Sequence, residues 1–533
     1  MAYTVLQHQE NKERRERGEI MEHAASNTTA VNLSKGRRWA SLVVLAGSLL
    51  VITMDMTILN VALPQITAEL KPTGEQLLWM VDVYSLALAG LLVTMSSLGD
   101  RFGRKKMLVI GYLIFGIGSV SAFFANSPEF VIVLRALLGV GGAMIMPTTL
   151  SLLRSVFPDP KERATAISVW AAISAIGAAI GPLVGGFLLE HFSWHAAFLV
   201  NVPIMVFAVL GSAFVLPEVK VKNPGPWDFV GAALSIGGMV LVPWAIKRFA
   251  QEMTFSDPTA IGAIVAGVVL LVLFIRRCLR RPDPLLDISL FKLRPFAGGI
   301  IAALGALFGL AAMMLLLAQW MQLVHNFSPM ETGVRMLPFA VMGLISSLAA
   351  PWLARKIGTR TTIALGLLVA AAGMAVVWFN RDHLDFSHVF ACMVLIGLSQ
   401  GSFTVASAMI MSTTPPEKAG NAAAIEETSY ELGNLLGVAI VGSLAALAYK
   451  IGFDANAAAG LPAELASTAR ESLGAALEIA NQAGLPEMAQ QATLAFNASL
   501  ADASAIGAVV LALAAVAVFF VIPKNTDIDK QAH

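Results

Sequence analysis

The sequence predicts an all-α integral membrane protein of fourteen transmembrane helices, folded as two pseudo-symmetric six-helix bundles with two further helices inserted between them. Three observations carry that prediction. The 533 residues are 57% hydrophobic and only 13% charged, with mean hydropathy +0.73, whereas a soluble domain carries about 25% charged residues. The apolar residues fall into stretches of roughly 19 to 26, close to the ~20 that cross ~30 Å of hydrocarbon as a helix. The chain also repeats itself. LGDRFGRKKMLVIG (Leu98–Gly111) aligns without gaps on LARKIGTRTTIALG (Leu353–Gly366), and Pro160, Gly177, Gly181 and Gly186 match Pro416, Gly433, Gly437 and Gly442 at nearly the same offset.

Residues 1–38 contain KERRER and a run of Asn, Thr and Ser, and read as a disordered cytosolic tail without the apolar core of a signal peptide. Met21 is an alternative to Met1 as the start of translation. Spans are expected at 39–62, 77–98, 107–125, 130–153, 164–189 and 196–216, which form the first bundle. Residues 217–296 supply the inserted pair, 228–247 and 258–276, and a basic loop. The second bundle, 297–523, follows with spans at 297–322, 333–353, 361–379, 388–411, 421–448 and 501–523. Between its last two spans, residues 449–500 read as an outer hairpin of two amphipathic helices around Gly484-Leu485-Pro486. A short cytosolic tail, 524–533, closes the chain.

Orientation follows from the basic residues. With the N-terminus inside, cytosolic segments hold 28 of the 36 Lys and Arg and outer loops hold six. The positive-inside rule therefore places both termini in the cytosol of a bacterial-type plasma membrane.

Several chemistries find no support. Cys278 and Cys392 provide neither a disulfide framework nor a cysteine metal site. His191 and His195 have metal-like spacing in an outer turn, but no further ligands converge on them, so no metal is expected. No GxxxxGK[ST] loop argues for ATP as the energy source, no converging catalytic set marks an enzyme, and no nucleic-acid partner is expected.

Charge inside the spans is the functional signal. An Asp at mid-helix costs roughly 2.5 to 3.5 kcal/mol on insertion scales and usually marks an ion or substrate path. The spans hold Asp55, Asp82, Arg135, Arg335, Glu426, Glu427 and Glu431, five acids against two bases, which favours a cation or a proton over an anion. Burial disfavours the charged form of a carboxyl group, so such acids can exchange protons near neutral pH. Asp55 lies about 24 Å along its span from the cytosolic end, as a cation or proton site or as a packing acid held by Thr57 or a neighbouring donor. Asp82 follows Trp79 by one turn, so an aromatic face and a carboxylate share a helix surface that suits a quaternary ammonium group, and Tyr84 is a further candidate for substrate or proton binding. In the last repeat helix Glu426 lies near the glycine stripe, while Glu427 and Glu431 lie on a face roughly 120° away. The three acids are thus expected not to form one cluster.

The motifs carry a family resemblance. LGDRFGRKK (Leu98–Lys106) supplies Asp100, Arg101, Gly103, Arg104 and Lys105 of a loop signature, with Ser96 where that pattern usually has glycine. LRALLGVGGA (Leu134–Ala143) resembles a helix-4 motif around Arg135, with Leu138 where a glutamine is usual. GAAIGPLVGG supplies Gly177, Gly181, Pro182, Gly185 and Gly186 of an antiporter signature. With MDMTILNVALP (Met54–Pro64), WMVDVYSLALAG (Trp79–Gly90) and FSWHAAFLVNVP (Phe192–Pro203), nearly the whole chain resembles the major facilitator superfamily, and within it the fourteen-helix drug/proton antiporters of QacA type.

The resemblance implies a multidrug efflux antiporter that works as a monomer without a cofactor. It would use the proton gradient to export lipophilic organic cations such as quaternary ammonium antiseptics, cationic dyes, biguanides and diamidines. It also implies a coupling role for Arg135, a conformational latch at Asp100, Arg101, Gly103, Arg104 and Lys105, and Glu427 as the foremost cation or proton site. An exporter of an endogenous metabolite, peptide-like product or lipid would share the fold and stays open as the alternative.

Overall fold

The computed structural model describes residues 33–72, 74–220, 227–252, 257–415, 418–453, 461–470 and 472–526. The expected N-terminal tail up to residue 32, both candidate start residues, most of the C-terminal tail and Pro416 lie outside the described residues. Among the described residues, regular structure is helical throughout.

In chain order the long helices are α1 (Lys35–Leu70), α2 (Gly74–Phe102), α3 (Arg104–Ser121), α4 (Pro128–Val156), α5 (Pro160–His191) and α6 (Asn201–Val215). Then come α7 (Phe229–Glu252) and α8 (Pro258–Arg280), and α9 (Arg294–Gln319), α10 (Pro329–Ile357), α11 (Thr359–Phe379), α12 (Phe386–Thr413), α13 (Ala419–Gly452) and α14 (Pro486–Val521). Thirteen helices among the described residues are long and apolar enough to cross a membrane. The fifth expected span falls within α5, a continuous helix of 32 residues.

The helix starts are written in the sequence. Asp159 precedes Pro160 and accepts from the Glu162 backbone N–H at 2.8 Å, and Asp257 does the same for α8 through Thr259 at 2.9 Å. Ser328 and Glu331 form a reciprocal capping box ahead of α10. Apolar side chains such as Ile117, Phe214, Val265 and Phe520 are left on the outer faces of their helices, a surface that water penalises and lipid tails do not.

The sequence repeat reappears as a packing repeat. In the first bundle α1 packs on α5 and α6, α2 on α4, and α3 on α4 and α6. The second bundle reproduces each pair eight helices later: α9 on α13 and α14, α10 on α12, and α11 on α12 and α14. The bundles meet along α2 with α13 and along α5 with α10, two seams that exchange under the same correspondence. The inserted α7 and α8 pack on each other, and α7 also lies against α2.

Two details depart from expectation. The outer segment contains the short helices Ala463–Ala469 and Leu473–Ala483, not one long first helix, because Ser472 restarts the chain by capping Ala475. After the turn at Gly484, whose φ of +67° suits glycine, the second expected hairpin helix runs on without a break as α14. No proline or glycine between Pro486 and Ser504 interrupts it. Residues 454–460 and 471 of this segment lie outside the described residues.

Candidate functional site

Glycines set the geometry of both bundle cores. A Cβ on Gly177 or Gly181 would strike the Thr53 or Thr57 hydroxyl of α1, and one on Gly185 would come within 2.7 Å of Ile58. In the second bundle a Cβ on Gly433 would come within 2.6 Å of the Leu304 carbonyl of α9, and one on Gly437 would strike the Phe308 carbonyl. Small residues thus let α1 and α5, and likewise α9 and α13, approach to backbone contact. Both glycine helices also break their hydrogen-bond ladder at the matching place, α5 with Pro182 and α13 with a π turn over Gly437–Val441. Gly186 is different: its nearest neighbour would be Met330 on α10, at 3.8 Å.

Inside the first bundle lies a closed polar network. Arg135 of α4 pairs with Asp55 of α1 at 2.8 Å, and neither residue is more than 2% exposed. Arg135 also donates to the Met80 carbonyl at 3.3 Å and stands 4.3 Å over the Tyr84 ring, a cation–π contact. The second Asp55 oxygen accepts from the Asn201 amide at 2.8 Å, and that amide lies 3.4 Å from the Ser119 hydroxyl. An ion pair this buried persists only because further hydrogen bonds satisfy it. The packing acid expected as one reading of Asp55 is therefore held by Arg135 and Asn201, with Thr57 bonded instead to the Met54 carbonyl at 3.0 Å.

The acids of α13 are arranged otherwise. Glu426 and Glu427 are fully buried and Glu431 is 8% exposed. Glu426 accepts from the Tyr430 hydroxyl, whose ring lies against Phe403 of α12 at 4.5 Å. Neither carboxylate oxygen of Glu427 has a hydrogen-bond partner among the described residues. Glu426 and Glu431 both lie near enough to act on Glu427 electrostatically, although they do not all share one helix face. Helical angle separates their Cα–Cβ directions, but Coulomb forces in a low-dielectric interior reach beyond a helix face. Glu431 lies within Coulombic range of the Tyr84 side chain of α2, so the α13 acids approach the helix on which the Arg135 contact rests.

The loop signature divides into two groups. Asp100 pairs with Arg104 at 2.8 Å, and Arg104 reaches the Ser151 carbonyl and the Ser155 hydroxyl of α4. The Asp100 carboxylate also occupies the space that a Cβ on Gly420 would need, which sets it against the positive N-terminal end of α13. Beside it the Ser96 hydroxyl donates to the Gly420 carbonyl at 2.7 Å, so the residue that departs from the motif makes a bond between the bundles. Gly103 and Lys105 turn away from this seam. The Lys105 backbone N–H donates to the Glu218 carboxylate at 3.1 Å and its ammonium to the Ala213 carbonyl at 2.9 Å, and a Cβ on Gly103 would strike Glu218. Arg101 lies half-buried in the last turn of α2.

One further tie crosses between the bundles, and another joins the loop before α9 to the start of α13. Arg154 of α4 donates to the Thr414 carbonyl after α12. Lys418 pairs with Asp287 at 2.6 Å, and the Asp287 backbone N–H donates to Asn421 at 2.8 Å. Burial opposes ionisation of Asp287, but its bonds to Lys418 and Ser289 outweigh that and hold the carboxyl below the usual range.

Of the remaining expected residues, Trp79 and Asp82 are half-buried on α2, and Tyr84 is buried under Arg135. His195 stacks on Trp194 at 3.8 Å and contacts Ser193 and the Ala125 carbonyl, while His191 contacts the Phe187 carbonyl. A cleft of about 820 Å³ between Leu473–Ala483, the start of α14 and Leu323–Asn326 contains none of the expected site residues. Sequence reasoning missed Asn201, Tyr430 and Arg154. Asn201 sat inside a quoted motif, and a polar amide at the head of an apolar helix is itself a signal that a partner waits nearby.

Comparison with known proteins follows the geometry. The Major Facilitator Superfamily model matches residues 45–438. The multidrug efflux pump LfrA of Mycolicibacterium smegmatis is 40% identical, the match covering 93% of this chain and 99% of that protein. The methyl viologen resistance protein SmvA of Salmonella typhimurium is 37% identical over 86% of this chain and 92% of its own length. Among solved structures, the inward-facing, unoccupied bacterial homolog of the human lysosomal transporter Spinster superposes with a TM-score of 0.55 at 18% identity, covering 93% of this chain and 99% of that one.

Proposed function

The chain belongs to the Major Facilitator Superfamily and is a membrane transporter, not an enzyme, and from that premise we propose that it exports lipophilic organic cations in exchange for protons. One of its relatives is named for multidrug efflux and another for multidrug resistance. The finer reading rests on one observation, the burial of Glu427 without a protein partner for either oxygen. A carboxylate cannot stay ionised and unpaired in a membrane interior, where an isolated charge costs several kcal/mol or more. It must hold a proton or face a cation, and the two exclude each other at one site.

That exclusion is a transport cycle. With the site open to the cytosol, a cationic drug binds ionised Glu427, and Glu426 and Glu431 add negative potential around it. Opening to the outside exposes the site to a higher proton concentration, protonation weakens the cation's hold, and the drug leaves. Linkage makes the effect reciprocal, so the drug equally disfavours the proton. Asp55 and Arg135 act as the coupling pair. Asp100 and Arg104, with Ser96, latch the bundles at the cytosolic end, and both termini lie in the cytosol. Trp79 and Asp82 form the approach for quaternary ammonium groups. A relative named for resistance to methyl viologen, a doubly charged quaternary cation, supports this choice of substrate.

Binding measures the competition directly. Purified protein in detergent should bind a fluorescent quaternary cation more weakly as pH falls, and Glu427→Gln should abolish that dependence together with most of the affinity. Binding that is unchanged by pH, or that survives Glu427→Gln, overturns the assignment.

A further inference from the structure

The turn between α5 and α6 is fastened at three points. Trp194 donates to the Glu69 carboxylate at the far end of α1 (2.8 Å), and His195 contacts the Ala125 carbonyl after α3 (3.2 Å). Asn201, fully buried in the first turn of α6, donates to Asp55 at 2.8 Å. A carboxylate has no proton to give, so its oxygen needs a donor, and this fixes which end of the Asn201 amide faces it. Ser119 of α3 lies 3.4 Å from the same amide nitrogen. With Arg135 on one oxygen and Asn201 on the other, Asp55 has a charged donor and a neutral one.

We propose that Asn201 is a positioning residue for proton coupling: its amide holds Asp55 ionised and aimed at Arg135, and the outer turn carries that amide into place. The inference rests on the coupling role given to Asp55 above. Arg135 has partners of its own in the Met80 carbonyl and the Tyr84 ring, so it does not alone fix the orientation of the carboxylate. The other titratable or charged groups around Asp55 are few. Arg135 on α4 and Tyr84 on α2 adjoin Asp55, and the neighbouring elements carry Asp82 on α2, Tyr112 on α3, which is bonded to Ser48 of α1, and His195 in the outer turn, which contacts the Ala125 carbonyl. The apolar stretches of α5 and α6 facing α1 carry none. Asn201 is therefore the only contribution that α6 makes to the charge balance at this site among the described residues.

The test separates this inference from the coupling reading on which it rests. Infrared difference spectroscopy of the reconstituted full chain follows the carboxylic-acid C=O band during a pH titration, and the band lost in Asp55→Asn belongs to Asp55. In Asn201→Ala the loss of a hydrogen bond to the ionised form should move that band's midpoint about one pH unit to higher pH. The pH profile of gradient-driven dye export should follow it. Asn201→Asp keeps the side-chain volume and places a second carboxyl against the first, so it should broaden the titration into two steps even where Asn201→Ala fails to fold. An Asp55 band with the wild-type midpoint in both variants overturns the role of Asn201. Gradient-driven export that persists in Asp55→Asn instead overturns the coupling role of Asp55, and with it the functional claim for Asn201, whatever the band does.

Discussion

Asp55 and Arg135 stand 2.8 Å apart in the middle of the first bundle, one on α1 and the other on α4, with almost no exposure of either side chain. Each is the reason the other is tolerated. A buried pair contributes little net stability, but removing one partner strands a charge, at a cost of about 3 to 5 kcal/mol. Arg135→Met should therefore lower the thermal midpoint of the detergent-solubilised protein sharply. The double variant Asp55→Asn with Arg135→Met should recover most of that stability while remaining unable to couple transport to protons. Equal melting of the single and double variants would contradict the pairing.

The two ends of the antiporter signature should differ in tolerance. Gly181→Ala places a methyl group into the Thr57 hydroxyl and should separate α1 from α5, with loss of export. Gly186→Ala meets nothing closer than 3.8 Å and should export at near wild-type rates. Dye export from cells producing each variant at matched levels distinguishes them.

That difference also marks how far the sequence was legible. The repeat offset matched Gly433 and Gly437 to Gly177 and Gly181 as packing glycines, because close packing needs small residues at fixed helical spacing and leaves that spacing visible, whereas the helices they meet, α9 and α1, are seen only in the fold. The buried acids were equally plain, since charge in an apolar span stands out. What stayed hidden were partners distant in sequence. Nothing local links Asn201 to Asp55, 146 residues away, whereas Tyr430 stands one helical turn from Glu426 and that pair was open to reading. Nor does spacing on one helix show that Glu426, Glu427 and Glu431 share an electrostatic field, because that depends on the low dielectric of the packing around them.

At the basic end, the bond from Ser96 to the Gly420 carbonyl adds a tie between the bundles. Ser96→Gly should shift the resting population toward the cytosol-open state. Accessibility of a cysteine introduced on the cytosolic side of α13 to a thiol reagent should rise severalfold. Unchanged labelling would show that the hydroxyl does not hold the seam.

The neighbouring pair of Asp287 and Lys418 should be insensitive to pH across the working range. The Asp287 carboxyl is held below its ordinary value of about 3.9. Its stabilising contribution is thus fully present above that value and is lost only as pH falls through the lower folded value. Asp287→Asn should weaken the tie between this loop and α13 equally at pH 6 and pH 8. A pH-dependent effect of this substitution within that interval would place a second titrating group beside the pair.

The most direct measurement is proton movement in proteoliposomes that contain a pH-sensitive dye. Addition of methyl viologen or a monovalent quaternary ammonium ion should release protons in proportion to the cation transported. Glu427→Gln should reduce that flux at least about tenfold, as expected for loss of a buried charge partner. Cation transport without accompanying proton flux, or undiminished proton exchange in Glu427→Gln, would contradict the account.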